Sequence, residues 1–310
     1  MLRLNVNNET SKLKAVVLGI GNSLGSVPTA NECYDPKSRF HVLNGTYPKE
    51  VDVISQLDYF KNIFLKYDIN VFRPSILKNV NQIFSRDIGF VIGNKFFISN
   101  TIKERSKEIE GLNGLFKKIK YDDLVYLPKN CSVEGGDIIL HDEYIFVGTC
   151  EKNKFDDYKT ARTNQGAINF IKKYFPEKKI ISFSLIKSDA DYQKLALHLD
   201  CCFQPVGKNK LVVCPEAFLS EDDYNWILNT FKKENIFEIS LLEMNKLKCN
   251  FFSISQNIVV SEISFSRLNN WLRSNGITVE EISYNEISKQ GGLLRCCLLY
   301  TSPSPRDETK

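Results

Sequence analysis

The chain has 310 residues, 43% hydrophobic and 25% charged, an ordinary globular composition that excludes disordered, collagen-like and coiled-coil classes. Its 41 basic and 37 acidic side chains leave a formal charge of +4, too even a balance for an electrostatic grip on nucleic acid to be its main business. No stretch approaches the roughly 18 apolar residues that span a bilayer, and the N-terminus has no apolar signal segment, so a cytoplasmic protein without nucleic-acid or membrane partners is expected. Nine cysteines at irregular spacings, with adjacent pairs at Cys201-Cys202 and Cys296-Cys297 and no CxxC, fit neither a disulfide framework nor a zinc ribbon. Reduced thiols are expected, with a reactive candidate among them.

From the N-terminus, KAVVLG (14 to 19) reads as a strand, and GIGNSLG (19 to 25) lacks the GxGxxG spacing of a dinucleotide loop, so it is taken as irregular. The segment from Gly21 to Pro48 is long and irregular, a candidate lid. A helix is predicted over 49 to 66 and an extended NVFRP over 70 to 74. Asp87-IGFVI-GNK-FFIS then forms a hairpin turning at Gly93-Asn94-Lys95, and the same shape returns at 137 to 148, 202 to 214 and 251 to 262. Each hairpin is followed by helical spacing, at 102 to 119, 160 to 175, 220 to 235 and 265 to 275, with Ser220 as an N-cap and Gly276 as a C-cap. Single extended segments follow near 124, 179, 237 and 278.

Hairpin, helix and strand thus repeat four times from Asp87 to about Tyr284. The N-terminal strand, helix and extended segment supply most of a fifth unit, and LLRCCLLY (293 to 300) can pair with its strand. The two ends would then close a ring without free edges. The economical fold is α/β, five units around a central axis; a generic α/β sheet is the alternative.

The conspicuous polar residues occupy equivalent places in these units. Ser85-Arg86-Asp87 opens one hairpin, Glu134-Gly135-Gly136-Asp137 the next and His198-Leu199-Asp200 a third, while Gly291-Gly292-Leu293-Leu294-Arg295-Cys296 lies at the closing strand. Around a common axis, an acid, a second acid, a His-Asp pair and a Cys converge. In an extended strand His198 and Asp200 would share one face. Singly each signal is weak: Arg86-Asp87 suits a surface pair, and Cys296 in an apolar context suits a small buried hydrophobe. Together they are the equipment of covalent catalysis.

RD, EGGD, HLD and GGxxRC in this order resemble the guanidino-group modifying enzymes of the pentein superfamily, which includes arginine and agmatine deiminases, dimethylarginine hydrolases and amidinotransferases; the resemblance covers residues 1 to 297. It implies a pentein α/β-propeller of five ββαβ units in a single catalytic domain, residues 1 to 300. It also implies a small guanidino substrate, no cofactor and no metal, and leaves a homo-oligomer open. By the same resemblance Cys296 is the nucleophile, His198 the general acid and base, and Asp87 and Asp200 the carboxylates that hold the guanidinium, with Glu134 beside His198. EGGD with HLD looks more like the deiminases than the dimethylarginine hydrolases. Thr160-Ala161-Arg162-Thr163-Asn164 resembles the deiminase segment whose arginine binds a substrate α-carboxylate, which assigns Arg162 to substrate binding.

A planar, permanently charged guanidinium suits paired carboxylates, which orient it by charge-assisted hydrogen bonds. The implied activity is hydrolysis to a citrulline-type product through a covalent thiouronium. Amidino transfer to an amine, and binding without catalysis, are the alternatives. One departure is notable: after Cys296 the family commonly has a Ser/Thr-Leu-Pro-Leu-type strand, whereas this chain reads CLLYTSPSPRDETK. Residues 301 to 310 read as a disordered, non-native tail that leaves the activity of this chain in question, with Cys297 as the alternative nucleophile.

Overall fold

The computed structural model describes residues 1 to 301. Strands β1 (Ala15–Leu18) and β2 (Asn70–Phe72) flank the first helical connection. Three strands each follow in β3 (Gly89–Ile92), β4 (Lys95–Ile98) and β5 (Leu124–Tyr126), and in β6 (Ile138–His141), β7 (Tyr144–Thr149) and β8 (Lys179–Ser184). The pattern repeats in β9 (Phe203–Val206), β10 (Lys210–Val213) and β11 (Ile236–Glu238), and again in β12 (Phe252–Ser255), β13 (Ile258–Glu262) and β14 (Thr278–Ile282). The last described strand, β15 (Leu298–Thr301), returns to β1.

These strands form five three-stranded sheets of one topology. In each, the middle strand pairs antiparallel with its hairpin mate and parallel with the strand beyond the connection. The parallel pairing requires a crossover, which is where each unit places its helix or turns. The expected closure of the first unit by the far end is present, in register from Ala15 opposite Thr301 to Leu18 opposite Leu298. Strands β1, β3 and β9 are buried along their whole length, by Val, Ile, Leu and Phe for the most part, with Gln204 and Pro205 as the exceptions in β9. The tight turn after β3 needs a residue at positive φ, which Gly93 supplies at +56°.

The helix Glu50–Lys66 buries Val53, Leu57, Phe60, Ile63 and Phe64, one stripe at helical spacing. Its Phe60 and Phe64 meet Tyr284 and Phe252 edge-on, so the first unit packs directly on the last. Ser220 caps the helix Glu221–Phe231 as expected, and Gly276, at φ +75°, lies just past Ser266–Ser274. The helix expected from 160 starts only at Gln165, because the Asn164 side chain accepts from Ala167 N–H and fixes the cap there.

The helix expected over 102 to 119 does not form. The segment is broken into the 3-10 turns Lys103–Arg105 and Glu108–Leu112 and a single helical turn, Asn113–Phe116. The cause is tertiary: the Arg105 side chain is drawn inward onto Asp87, Glu108 and the Phe84 carbonyl, and Gly111 packs so closely that a Cβ would lie 2.4 Å from Gln82 Nε2. β15 runs through Thr301, one residue into the expected tail; the rest of that expectation, residues 302 to 310, lies outside the described residues. Among the described residues no helix is long and apolar enough to cross a membrane.

Candidate active site

Each unit sends one polar residue inward from the segment just before its first hairpin strand. Asp87 precedes β3, Glu134 leads into the turn Gly135–Asp137 before β6, and His198 leads into the turn Leu199–Cys201 before β9. Asn250 precedes β12, and Cys296 sits in the turn Arg295–Cys297 before β15. All five are buried.

His198 Nε2 lies 2.9 Å from Glu134 Oε2, and its Nδ1 lies 3.7 Å from Asp87 Oδ1. The imidazole is therefore flanked by a carboxylate on either side. Burial alone would lower its pKa, but the charges of Asp87, Glu134 and Asp137 and the Glu134 hydrogen bond overcome that and push it up to about 9. Glu134 would be raised by burial, yet the Arg162 guanidinium, the hydrogen bond with His198 and the Arg105 charge hold its carboxyl well below the usual range. The ring rests on Gly136, where a Cβ would stand 2.7 Å from His198 Cγ. The glycine of the EGGD motif is thus required by close approach of the imidazole.

Sequence reasoning placed His198 and Asp200 on one face of an extended strand; the structure does not. Leu199 N–H donates to Asp137 Oδ1 at 3.0 Å and Cys201 N–H to the His198 carbonyl, which winds the segment into a turn. Asp200 consequently faces Arg295, with Oδ2 2.7 Å from Nη1. Arg295, whose guanidinium also meets Glu9 at 3.1 Å, is fully buried. Glu9 was not singled out from the sequence, and Arg295 was noted only as part of the GGxxRC motif, without a role of its own.

Arg162, expected on a substrate carboxylate, is instead engaged inside the protein. Its Nη1 donates to both oxygens of Glu134 at 3.1 Å, Nη2 to the Tyr34 carbonyl and Nε to the Lys159 carbonyl. Arg105, missed in the sequence because it was read into the helix expected over 102 to 119, donates to Asp87 Oδ2 at 2.6 Å and to both oxygens of Glu108. Asp87 Oδ1, in contrast, is buried without a hydrogen-bond partner. Burial, opposed by Arg105, leaves the Glu108 carboxyl raised to about 7.

Cys296 packs against the Asp87 segment, its carbonyl accepting from Arg86 N–H at 3.0 Å. Burial pushes its thiol well above the ordinary range, and the carboxylates of Asp200 and Asp87 push it further. Cys297 Sγ donates to the Leu293 carbonyl at 3.1 Å. The two thiols therefore have different surroundings, but through a 3-10 turn rather than through the strand alternation expected from the sequence.

A cavity of about 1020 Å³ is walled by Leu24–Pro28 and Glu32–Asp35 of the candidate lid segment and by Lys103, Glu104, Ser106–Glu108 and Glu110; Asp87, Glu134, His198 and Cys296 do not line it. Tyr34 belongs to this wall, so the Arg162 hydrogen bond to its carbonyl ties the wall to Glu134. Asp87, Glu134 and His198 also present ligand atoms within 4.8 Å of one another, close enough for a metal ion. The guanidiniums of Arg162 and Arg105, at 3.1 and 3.8 Å from Glu134, oppose an added cation there.

Comparison with known proteins bears on the family rather than on these residues. A family model described as N,N dimethylarginine dimethylhydrolase, eukaryotic, matches residues 53–301. The uncharacterized protein YkgA of Bacillus subtilis is 30% identical over 221 residues, covering 70% of this chain and 68% of its own. Among solved structures, the N-terminal domain of ArgZ, a cyanobacterial arginine dihydrolase, superposes with a TM-score of 0.76 at 18% identity, covering 93% of this chain and 98% of its own. SxtG, an amidinotransferase of saxitoxin biosynthesis from Microseira wollei, gives 0.72 at 17%, with 96% of each chain covered. The sequence leaned toward the deiminases, whereas the matching model is that of the dimethylarginine hydrolases; both lie in the same superfamily. The chain belongs to the N,N dimethylarginine dimethylhydrolase family and is a guanidino-modifying enzyme of the pentein superfamily.

Proposed function

We propose that the protein is a hydrolase that replaces one guanidinium nitrogen of arginine or a close derivative by oxygen, through a covalent intermediate on Cys296, without metal or cofactor. The observation that carries this reading is the fully buried imidazole held between Glu134 and Asp87. Its pKa of about 9 keeps it protonated at neutral pH, as a proton donor to a leaving nitrogen must be. Asp87 Oδ1 makes no hydrogen bond, with His198 Nδ1 3.7 Å away, and an acceptor open in this way supports a guanidinium N–H donor at that point.

In this reading the bound guanidinium favours ionisation of Cys296, whose thiol is otherwise held neutral by burial and nearby carboxylates; the thiol proton leaves to solvent, since His198 is already protonated. The thiolate sulfur bonds to the guanidino carbon, the carbon–nitrogen bond breaks, and His198 gives its proton to the departing ammonia or amine. Neutral His198 then takes a proton from water; the hydroxide bonds to the carbon, the carbon–sulfur bond breaks, and the ureido product leaves with the thiolate restored. The remaining proton goes to the released amine as ammonium. Asp200, paired with Arg295 through Oδ2, would contribute through its other oxygen. A substrate carboxylate on Arg162 would have to compete with Glu134 and the Tyr34 carbonyl.

The test is a ureido assay with arginine, agmatine and methylated arginines, with and without glycine as acceptor amine. Ureido product that disappears in Cys296→Ser supports hydrolysis. A guanidino product formed only with amine replaces it by amidino transfer. No turnover of any of these compounds favours a binding role. A single catalytic domain in the cytoplasm, acting with or without a second copy, completes the proposal.

A further inference from the structure

We propose that Asn250 is a positioning residue for the nucleophile, holding the turn that carries Cys296 and coupling it to the turn that carries His198. The inference rests on Cys296 being the nucleophile. Asn250 is fully buried and occupies the one unit whose inward residue has no part in the proposed chemistry. Its Oδ1 accepts the N–H of Arg295 at 3.0 Å and of Cys296 at 3.2 Å. Its Nδ2 donates to the Asp200 carbonyl at 3.4 Å. Its own backbone is fixed by N–H donation to the Leu247 carbonyl at 2.9 Å.

One side chain therefore satisfies two buried N–H groups of the Cys296 turn and one carbonyl of the His198 turn. Only an amide can do this without charge: a carboxylate would lose the donor and add an anion at the turn, and an aliphatic residue would orphan the Cys296 N–H and the Asp200 carbonyl and leave the Arg295 N–H only its longer bond to the Asn250 carbonyl, at 3.4 Å. The sulfur attacks a carbon held by a different unit, so displacement of the turn by a fraction of an ångström acts first on the rate of attack, while Asp87, held by Arg105 in another unit, keeps its grip on the substrate.

The experiment compares Asn250→Ala with Asn269→Ala, a second fully buried asparagine that instead bonds Glu262 and Glu281. Turnover is read with whichever guanidino compound the ureido assay accepts, and Cys296 alkylation by iodoacetamide is read by mass spectrometry without substrate. Asn250→Ala is expected to lower kcat about a hundredfold with KM within about threefold, and to speed Cys296 alkylation about tenfold as the turn loosens. Asn269→Ala is expected to lower Tm alone. Equal kcat and equal alkylation rates in the two variants overturn the proposal. If Asn250→Ala does not fold, Asn250→Ser, which keeps one short acceptor, is read the same way. Failure of the nucleophile assignment is distinguishable, since Cys296→Ser would then retain turnover.

Discussion

His198 and Glu134, 64 positions apart in the chain, are joined at 2.9 Å in a setting where both side chains are almost completely buried. The imidazole has its pKa raised from 6.5 to about 9, so the folded protein binds a proton that the unfolded chain releases between those values. The stabilisation is fully present below pH 6.5 and is lost as pH rises through about 9. Wild-type stability is expected to fall over this window by on the order of 3 kcal/mol more than that of His198→Gln. Urea denaturation at pH 6 and pH 9.5 checks this; parallel losses in the two proteins would contradict it.

Gly136 leaves no room for a methyl group under the same ring, because a Cβ would approach His198 Cγ to 2.7 Å. Gly136→Ala is expected to displace the imidazole and lower kcat about a hundredfold, at a stability cost of about 1–3 kcal/mol. Steady-state kinetics beside a thermal melt measure both. Full activity would mean that the ring position is not critical.

The two adjacent cysteines should separate cleanly. Cys296→Ser is expected to fold and lose turnover by several orders of magnitude, whereas Cys297→Ser, whose hydroxyl can still donate to the Leu293 carbonyl, stays within about threefold of wild type. In the free enzyme at neutral pH iodoacetamide should modify Cys296 slowly, since burial keeps the thiol protonated, and a bound guanidinium should speed the reaction. Intact-protein mass spectrometry follows each adduct.

Arg295 is a buried charge answered by Glu9 and Asp200, with Tyr300 O–H also donating to Glu9. Removing one partner leaves the charge under-compensated. Glu9→Ala is expected to cost about 3–5 kcal/mol, visible as a lower urea midpoint with an unchanged slope. A cost below about 1 kcal/mol would show that water replaces the carboxylate.

The fold was legible because strand and helix patterning repeats, and because Asp87, Glu134, His198 and Cys296 mark the same point of successive units. What was not legible was set by contacts remote in sequence. Arg105 interrupts a helix-like pattern because Asp87 and Glu108 draw it inward, and Asp200 leaves the face of His198 because Asp137 captures the Leu199 N–H. Asn250 stands at the equivalent point before β12, but a single uncharged amide between Cys249 and Phe251 carries no motif that marks it in the sequence.

The pairing of β1 with β15 brings chain segments almost three hundred positions apart into one sheet, and the turn bearing Cys296 hangs directly from that seam. Strain or loosening at the seam would therefore be transmitted to the sulfur before it reached the imidazole, which is anchored on sheets built from contiguous sequence. Thermal inactivation should then precede global melting, with the chemistry failing at the suture while the other four sheets are still intact.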